Sequence, residues 1–426
     1  MSRRTVVFIL AILAFLSGLL TGRDLLFYAS YFLGLTILVS FAWAWANMRY
    51  VNLSRLTRTR RTQVGRPLEE RFRIENTSFV PKLWIEVRDF SNVPAHYASY
   101  VVNGMWSHAR HSWRVTTMCQ KRGRYQLGPM MLRTSDPFGL FTMERELDAT
   151  TNVVVFPLTF EITNFVLPIG ILPGGDALRR RTHYITTNAS GVRDYAPGDS
   201  FSRIHWPTSA RRDRLVVKEF ELDPLADIWI VPDMALYDHV EDSTVEEGYS
   251  LNRLDIPKWM KREEFTLPPT TEEYTVTVAA SLAQYFLRLD RSVGMMAYGQ
   301  VTEIVQPDRG ERQLNRLLET LSVLRAEGKV YIENVLQAEA HLFPRGTTVI
   351  IVTPTTRPQW ASAARQLKQR GLRVVTVLVN PASFGSTSKS AEQLYALLQA
   401  SGTGAYMVNE GDDLTAALSG GHGMRL

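Results

Sequence analysis

Residue types that carry chemistry are densest between positions 191 and 221, which read G-V-R-D-Y-A-P-G-D-S-F-S-R-I-H-W-P-T-S-A-R-R-D-R-L-V-V-K-E-F-E. By type, Asp199, Ser202 and His205 could form a hydrolytic triad. Their spacing argues against it, because every pairing is local and no G-x-S-x-G elbow presents a serine. From Arg179 to Lys218 nine basic residues stand against Asp194, Asp199 and Asp213. Arginines with Tyr195 and Trp206 suit a nucleic-acid surface by type, yet no module motif frames them, and no nucleic-acid partner is expected. The reading that remains is a connector in which Arg193, Asp199, Arg203 and Trp206 join two domains. Guanidinium pairs with carboxylate in a fork, and Trp supplies large apolar area. Pro197-Gly198 is a turn, and Asp199 can N-cap a short helix through Arg203, Ile204, His205 and Trp206 that Pro207 limits. Elsewhere the chemistry is thin. One cysteine, Cys119, excludes an internal disulfide and a Cys-rich zinc site. Lys121 and Arg122 could activate its thiol, but a lone Cys in a strand pattern is usually a small hydrophobe. No G-x-x-x-x-G-K-[ST] phosphate loop occurs. No catalytic residue and no cofactor is expected, and the chain does not read as an enzyme.

These residues need a scaffold, and three patterns supply it. Thr5–Thr21 and Leu25–Ala46 are uncharged apolar runs parted by Gly22-Arg23-Asp24. A bilayer takes ~20 such residues as helix, so the pair reads as a transmembrane hairpin over residues 1–50. A cleaved signal peptide is the rival, but no A-x-A-like site follows and a second run begins at once. From 51 to 165 short alternating runs such as Lys82–Arg88 are broken by G-P, S-N-V-P and D-P-F-G turn signals, predicting a β-sandwich of about seven strands. Residues 166–222 are the connector. From 223 to 426 strands alternate with helices: strands near 227–231, 293–298, 301–305, 348–352, 372–379 and 405–408, helices near 272–289, 314–324, 358–370 and 390–401. A capping box, Thr270-x-x-Glu273, opens the first helix, and Gly328 is expected to end the second. Strand-helix alternation with one hairpin predicts a doubly wound α/β sheet with an antiparallel edge.

Charge refines this. Residues 1–62 hold eight arginines against Asp24 alone, while the rest of the 426-residue chain is close to neutral. The formal charge of +6 therefore describes the N-terminal segment and gives no whole-protein argument for nucleic acid. Arg3-Arg4 precede the hairpin and Arg49, Arg55, Arg58, Arg60 and Arg61 follow it. The positive-inside rule then places both ends, and the body, in the cytoplasm of a two-helix membrane protein, with the arginine strip facing anionic lipid. Residues 219–273 hold fifteen acids against four bases, either a solvated loop or a docking loop.

The run R-D-Y-A-P-G-D-S-F-S-R-I-H-W-P-T-S-A-R followed by L-V-V-K-E-F-E resembles the signature of the bacterial and archaeal family called domain of unknown function fifty-eight, DUF-58. So does Arg122–Phe141, R-G-R-Y-Q-L-G-P-M-M-L-R-T-S-D-P-F-G-L-F. The resemblance marks Gly191, Arg193, Asp194, Tyr195, Pro197, Gly198, Asp199, Arg203, Ile204, His205, Trp206, Ser209, Ala210 and Arg211 as signature positions, either partner-binding or structural. It implies a membrane hairpin, a β-rich region and a von Willebrand factor A-like domain. It also implies partners among MoxR-type AAA+ ATPases and transglutaminase-like membrane proteins. In the A-like fold Mg²⁺ is held by D-x-S-x-S, a threonine and a later aspartate. Here the run is Asp233-Met234-Ala235-Leu236-Tyr237, and Thr353-Pro354-Thr355 stands where T-D-G would follow. Asp233 reads as a remnant and no metal is expected. The function so implied is a membrane-anchored scaffold or adaptor acting through a metal-free A-like domain. An envelope-assembly enzyme, or a lipid or nucleic-acid binder using the basic segment, are the alternatives.

Overall fold

The computed structural model describes residues 3–167, 189–195, 204–220, 227–241, 267–386 and 391–419. They divide into two compact units, Met1–Leu158 and, apart from Leu321–Val323, Thr159–Leu426. The boundary expected at 165 therefore moves to 158.

The first unit opens with two helices, α1 (Arg3–Thr21) and α2 (Asp24–Met48), each long and apolar enough to cross a membrane. Gly22, at φ +67°, makes the turn between them, a backbone region that favours glycine. The helices pack on each other, with Gly18 against the Phe27 ring and Ser30 Oγ donating to the Ala11 carbonyl at 3.2 Å.

Ten strands follow rather than seven: β1 (Val51–Thr57), β2 (Arg61–Gln63), β3 (Pro67–Asn76), β4 (Lys82–Asp89), β5 (Tyr100–Met105), β6 (Arg110–Met118), β7 (Gly123–Leu127), β8 (Met130–Ser135), β9 (Thr142–Leu147) and β10 (Thr151–Phe156). They form three sheets, ordered β1-β3-β6, β2-β10-β7 and β5-β4-β8-β9. The extra strands are short or polar; β9 reads T-M-E-R-E-L and buries no residue fully, so its alternation carries little signal. Val51 and Ile74 of the first sheet share one core cluster with Ile85, Val87, Val102, Met105 and Leu132 of the four-stranded sheet, which joins the two sheets face to face.

Helix α2 is not a free stalk. Ser40, Ala44 and Asn47, spaced i, i+4, i+7, are buried, and α2 lies against β8 and β9. Asn47 Nδ2 donates to Thr134 Oγ1 at 3.3 Å, and Thr134 Oγ1 donates to the Trp84 carbonyl at 2.7 Å. The buried Lys82 ammonium donates to the Ala46 carbonyl in the last turn of α2, where the helix dipole favours a cation. Burial lowers the Lys82 pKa.

The second unit holds β11 (Ala189–Asp194), α3 (Trp206–Arg212), β12 (Val216–Phe220), β13 (Ile228–Pro232), α4 (Thr271–Arg288), β14 (Val293–Tyr298), β15 (Thr302–Asp308), α5 (Gly310–Val323), α6 (Ile332–Ala338), β16 (Thr348–Thr353), α7 (Gln359–Gln369), β17 (Arg373–Val379), α8 (Glu392–Ala400), β18 (Gly404–Val408) and α9 (Leu414–Ser419). Six strands make one sheet, ordered β15-β14-β13-β16-β17-β18, parallel except for β15. Trp229, Val231, Val349, Ile351, Val374 and Leu378 alternate onto one face, in a cluster with side chains of α6, α7 and α8. Helix α4 supplies nothing to that cluster and lies against β13, β14, β16 and β17. Its cap is the expected one, with Thr270 Oγ1 accepting from Glu273 N at 3.1 Å. Residues 159–167 belong with this unit: Phe160 N donates to Ser281 Oγ at 3.0 Å, and Phe165 stacks on Tyr406 with ring centroids 4.5 Å apart.

Gly328 does not end α5, which stops at Val323. It is a close-approach glycine instead. A Cβ there would lie 2.0 Å from the Tyr298 carbonyl oxygen and 2.7 Å from that of Met234. Gly328 N donates to the Met234 carbonyl at 2.9 Å and its own carbonyl accepts from Leu236 N at 2.8 Å. The cap expected at Ser390 lies outside the described residues, and α6 and α9 had no counterpart in the sequence pattern.

Candidate functional site

The signature segment folds as strand, helix, strand. Gly191, Arg193 and Asp194 lie on β11, which pairs antiparallel with β12. Tyr195 N donates to the Leu215 carbonyl at 2.9 Å. Pro197, Gly198, Asp199, Ser202 and Arg203 lie outside the described residues, so the expected Asp199 cap and the Ser-His-Asp grouping do too. Ile204 is buried and forms a bridge with Val217. His205 is the N-cap residue of α3, its Nδ1 2.6 Å from Thr208 Oγ1, and Pro207 sits in the first turn. Proline therefore opens this helix instead of limiting it, since a first-turn N–H has no intrahelical partner to lose. Ser209 pins the helix down: buried, its Oγ accepts from Val216 N at 2.9 Å and donates to the His205 carbonyl at 3.0 Å. Asp213, at φ +50°, ends α3, and Arg214 pairs with Asp194 at 2.9 Å across an exposed surface.

Trp206 departs from expectation. It is 64% exposed, and Pro207, Ala210 and Arg211 share that exposure. The connector reading required Trp206 to bury its ring; Ile204 and Ser209 are buried instead.

A second site lies where β13 and β16 end side by side. Asp233 follows β13, is 2% exposed, and has both carboxyl oxygens engaged. Thr353 Oγ1 donates to Oδ2 at 2.6 Å and Ala235 N to Oδ1 at 3.1 Å. His239 Nε2 donates to the Asp233 carbonyl at 2.8 Å, and its Nδ1 lies 3.1 Å from Thr271 Oγ1. Burial pushes the Asp233 carboxyl up to about 7, against the lowering effect of the Thr353 bond. Next to it Arg357 bonds Asp238 at 2.8 Å and Glu333 at 3.0 Å, with its guanidinium carbon 3.8 Å from the Tyr331 ring centroid. A divalent cation does not fit this donor set. The Thr353 hydroxyl donates into the Asp233 carboxyl, Ala235 has no side-chain oxygen to offer, Tyr237 turns outward, and a guanidinium already serves the neighbouring carboxylates. Among the described residues no three His, Cys, Asp or Glu side chains cluster as a metal site.

Sequence reasoning missed a third group. Arg55, assigned to a lipid-facing strip, is buried in the β-rich unit. Its Nε and Nη2 fork onto Glu70 at 2.7 and 2.8 Å, and Nη1 reaches Asp89 at 2.9 Å. His96 Nε2 stands 3.1 Å from Glu70 and 3.2 Å from Asp89, and Nδ1 is 2.8 Å from Thr117 Oγ1. Burial alone would raise Glu70 and depress His96. The ionic partners prevail, holding Glu70 at about 2 and lifting His96 to about 9. Two cations and two carboxylates are buried together, with hydroxyls of Thr57, Ser91 and Thr117 around them, which makes a structural lock. Cys119 is buried too, and burial pushes its thiol up to about 11, away from reactivity.

Residues 191–246 match the family described as "Protein of unknown function DUF58". A curated relative, "Uncharacterized protein YeaD" of Bacillus subtilis (strain 168), is 21% identical over 210 residues, 48% of this chain and 44% of that protein. The chain thus spans under half the length of the relative it matches. Among solved structures, the CARDB domain of the PF1109 protein from Pyrococcus furiosus, in complex with di-metal ions, is 15% identical over 25% of this chain and 91% of its own, at a TM-score of 0.19. A beta-glucosidase from Listeria innocua in complex with isofagomine is 15% identical over 25% of this chain and 16% of its own, at 0.18. Scores this low carry no fold or functional argument. The family match and the relative together support the DUF58 resemblance, and the family match runs from within β11 through α3, β12 and β13.

Proposed function

We propose that the chain is a membrane-anchored adaptor of the DUF58 family, not an enzyme, with its body in the cytoplasm. Its second unit is von Willebrand factor A-like and works without a metal. The strand order β15-β14-β13-β16-β17-β18 with one antiparallel edge supports the doubly wound reading, and Asp233 and Thr353 then stand at the point where strand order reverses. Ligands of such sheets bind at that point, but here it is closed by a buried hydrogen bond. Recognition therefore falls to exposed side chains.

The observation that carries the proposal is Trp206. A tryptophan left in solvent on a helix otherwise pinned by Ser209, with Arg211 and Arg212 beside it, has the composition of a protein-binding hot spot. By the family resemblance the partner is a MoxR-type AAA+ ATPase, with a transglutaminase-like membrane protein in the same assembly. The test is capture of purified MoxR-type ATPase from the same organism by the full-length chain in detergent. Trp206→Ala and Arg211→Ala are expected to lower capture at least tenfold, ~1.4 kcal/mol, with unchanged melting, while Asp233→Asn retains it. Equal capture by wild type and Trp206→Ala would overturn the assignment of this face.

A further inference from the structure

Three turns of the β-rich unit open at the end where α2 enters it. Thr77 N donates to the Tyr50 carbonyl at 2.8 Å, which sets the β3–β4 turn beside the helix exit. Lys82 reaches Ala46 and pairs across the sheet with Met105, so the β5–β6 turn lies at the same end. The β8–β9 turn reaches lower along the helix, its Phe141 ring edge-on to Phe41 with centroids 5.5 Å apart. Each turn presents one aromatic side chain to solvent: Phe79 at 83% exposure, Trp106 at 75% and Phe138 at 61%.

The β8–β9 turn is built to hold Phe138 out. Asp136 is buried, with Oδ2 accepting from Phe138 N at 2.9 Å and Oδ1 from Phe141 N at 2.7 Å. Gly139, at φ +69°, donates back to the Asp136 carbonyl at 3.1 Å. A Cβ on Gly139 would lie 3.7 Å from Arg3 Nη1, so the cationic start of α1 stands beside the turn. Phe41, which Phe141 touches, belongs to the uncharged run of α2. The turn thus meets the hairpin where apolar span gives way to charge, the level at which aromatic side chains settle in a headgroup layer.

We propose that this end of the β-rich unit is seated on the bilayer, with Phe138 inserted among lipid headgroups and Phe79 and Trp106 beside it. The occupant of this apolar end is the lipid surface that the adjoining helices enter, and the inference rests on the membrane-anchored reading above. A cleft of ≈ 410 Å³ at the same end, lined by Trp45, Met48, Arg49, Tyr50, Met143, Glu144 and Arg145, suits the same surroundings, with the Arg49 guanidinium carbon 4.1 Å from the Trp45 ring centroid.

The test places a nitroxide at one site at a time on the full chain, in a Cys119→Ser background, reconstituted in vesicles of zwitterionic and anionic phospholipid. Phe32→Cys reports the α2 span and Phe138→Cys the turn. Tyr97→Cys reports the far end of the eight-residue strand β4, ~26 Å away. The expected result is that labels at 32 and 138 are reached by oxygen and shielded from a water-soluble nickel chelate severalfold better than the label at 97. A label at 138 as accessible to nickel as that at 97, with 32 shielded, overturns the seating alone. If 32 is also open to nickel, the membrane-anchored reading falls and this inference with it. Should the cysteine-free background not fold, Phe138→Trp in the native chain gives the same readout, as added quenching by phospholipid brominated near the glycerol backbone.

Discussion

Glu70 and His96 lean in opposite directions for one reason: each is an ion whose partner is buried with it. Glu70, held at about 2 against an ordinary 4.5, adds stability that is complete above 4.5 and is lost as pH falls toward 2. His96, lifted to about 9 from 6.5, adds stability that is complete below 6.5 and is lost as pH rises through 9. The β-rich unit is thus expected to be most stable between about 4.5 and 6.5. Hydrogen exchange in β1 and β3 across pH checks this, and His96→Ala should remove the alkaline limb and shrink the acid one, because His96 also helps hold Glu70 and Asp89 down. Arg55→Met leaves Glu70 and Asp89 with His96 as their one remaining cation and should cost ~3–5 kcal/mol in denaturant unfolding. A change below 1 kcal/mol would show that the lock does not hold the unit together. None of this was legible in sequence. Arg55 meets partners 15, 34 and 36 positions away, and composition around it, arginines with no acid among them, pointed to a lipid-facing strip.

At the level of elements, α3 separates two roles that one motif concealed. Ser209→Ala removes the acceptor of the buried Val216 N–H and should cost ~1–3 kcal/mol. Trp206→Ala removes an exposed ring and should stay within about 0.5 kcal/mol of wild type. Thermal unfolding of both variants decides the matter, and the reverse order of effects would restore the connector reading. The contrast marks what the sequence could show. Strands 348–352 and 372–379 and the Thr270 cap were readable because apolar runs and capping spacings are local signals. So were the uncharged helical runs. Whether Trp206 or Ser209 faces inward depends on where β12 passes, a tertiary fact without a local signature. Gly328 failed in the same way: a glycine after a helical pattern suggests a cap, but its reason is a carbonyl from residue 298 that leaves no room for a Cβ.

At the scale of the whole molecule, two compact units predict two unfolding events. In urea, the chain in detergent micelles should lose the β-rich and α/β units in separable transitions. Arg55→Met should move the first alone and Gly328→Ala the second alone, each followed by tryptophan fluorescence and exchange of β3 and β16 amides. A single transition shifted by both variants would show that the units are thermodynamically one.

The docking of α2 along β8 and β9 has a mechanical consequence. Lys82 on the Ala46 carbonyl and Asn47 on Thr134 leave no slack joint between the apolar helix and the first sheets. Lean of the helix and lean of the β-rich unit are then a single degree of freedom. Helices longer than the local hydrocarbon accommodate by tilting. In the membrane-anchored reading proposed above, thinning or thickening the bilayer would therefore rotate the whole β-rich unit against the membrane plane, turning a property of the lipid into an orientation that a soluble neighbour can sense.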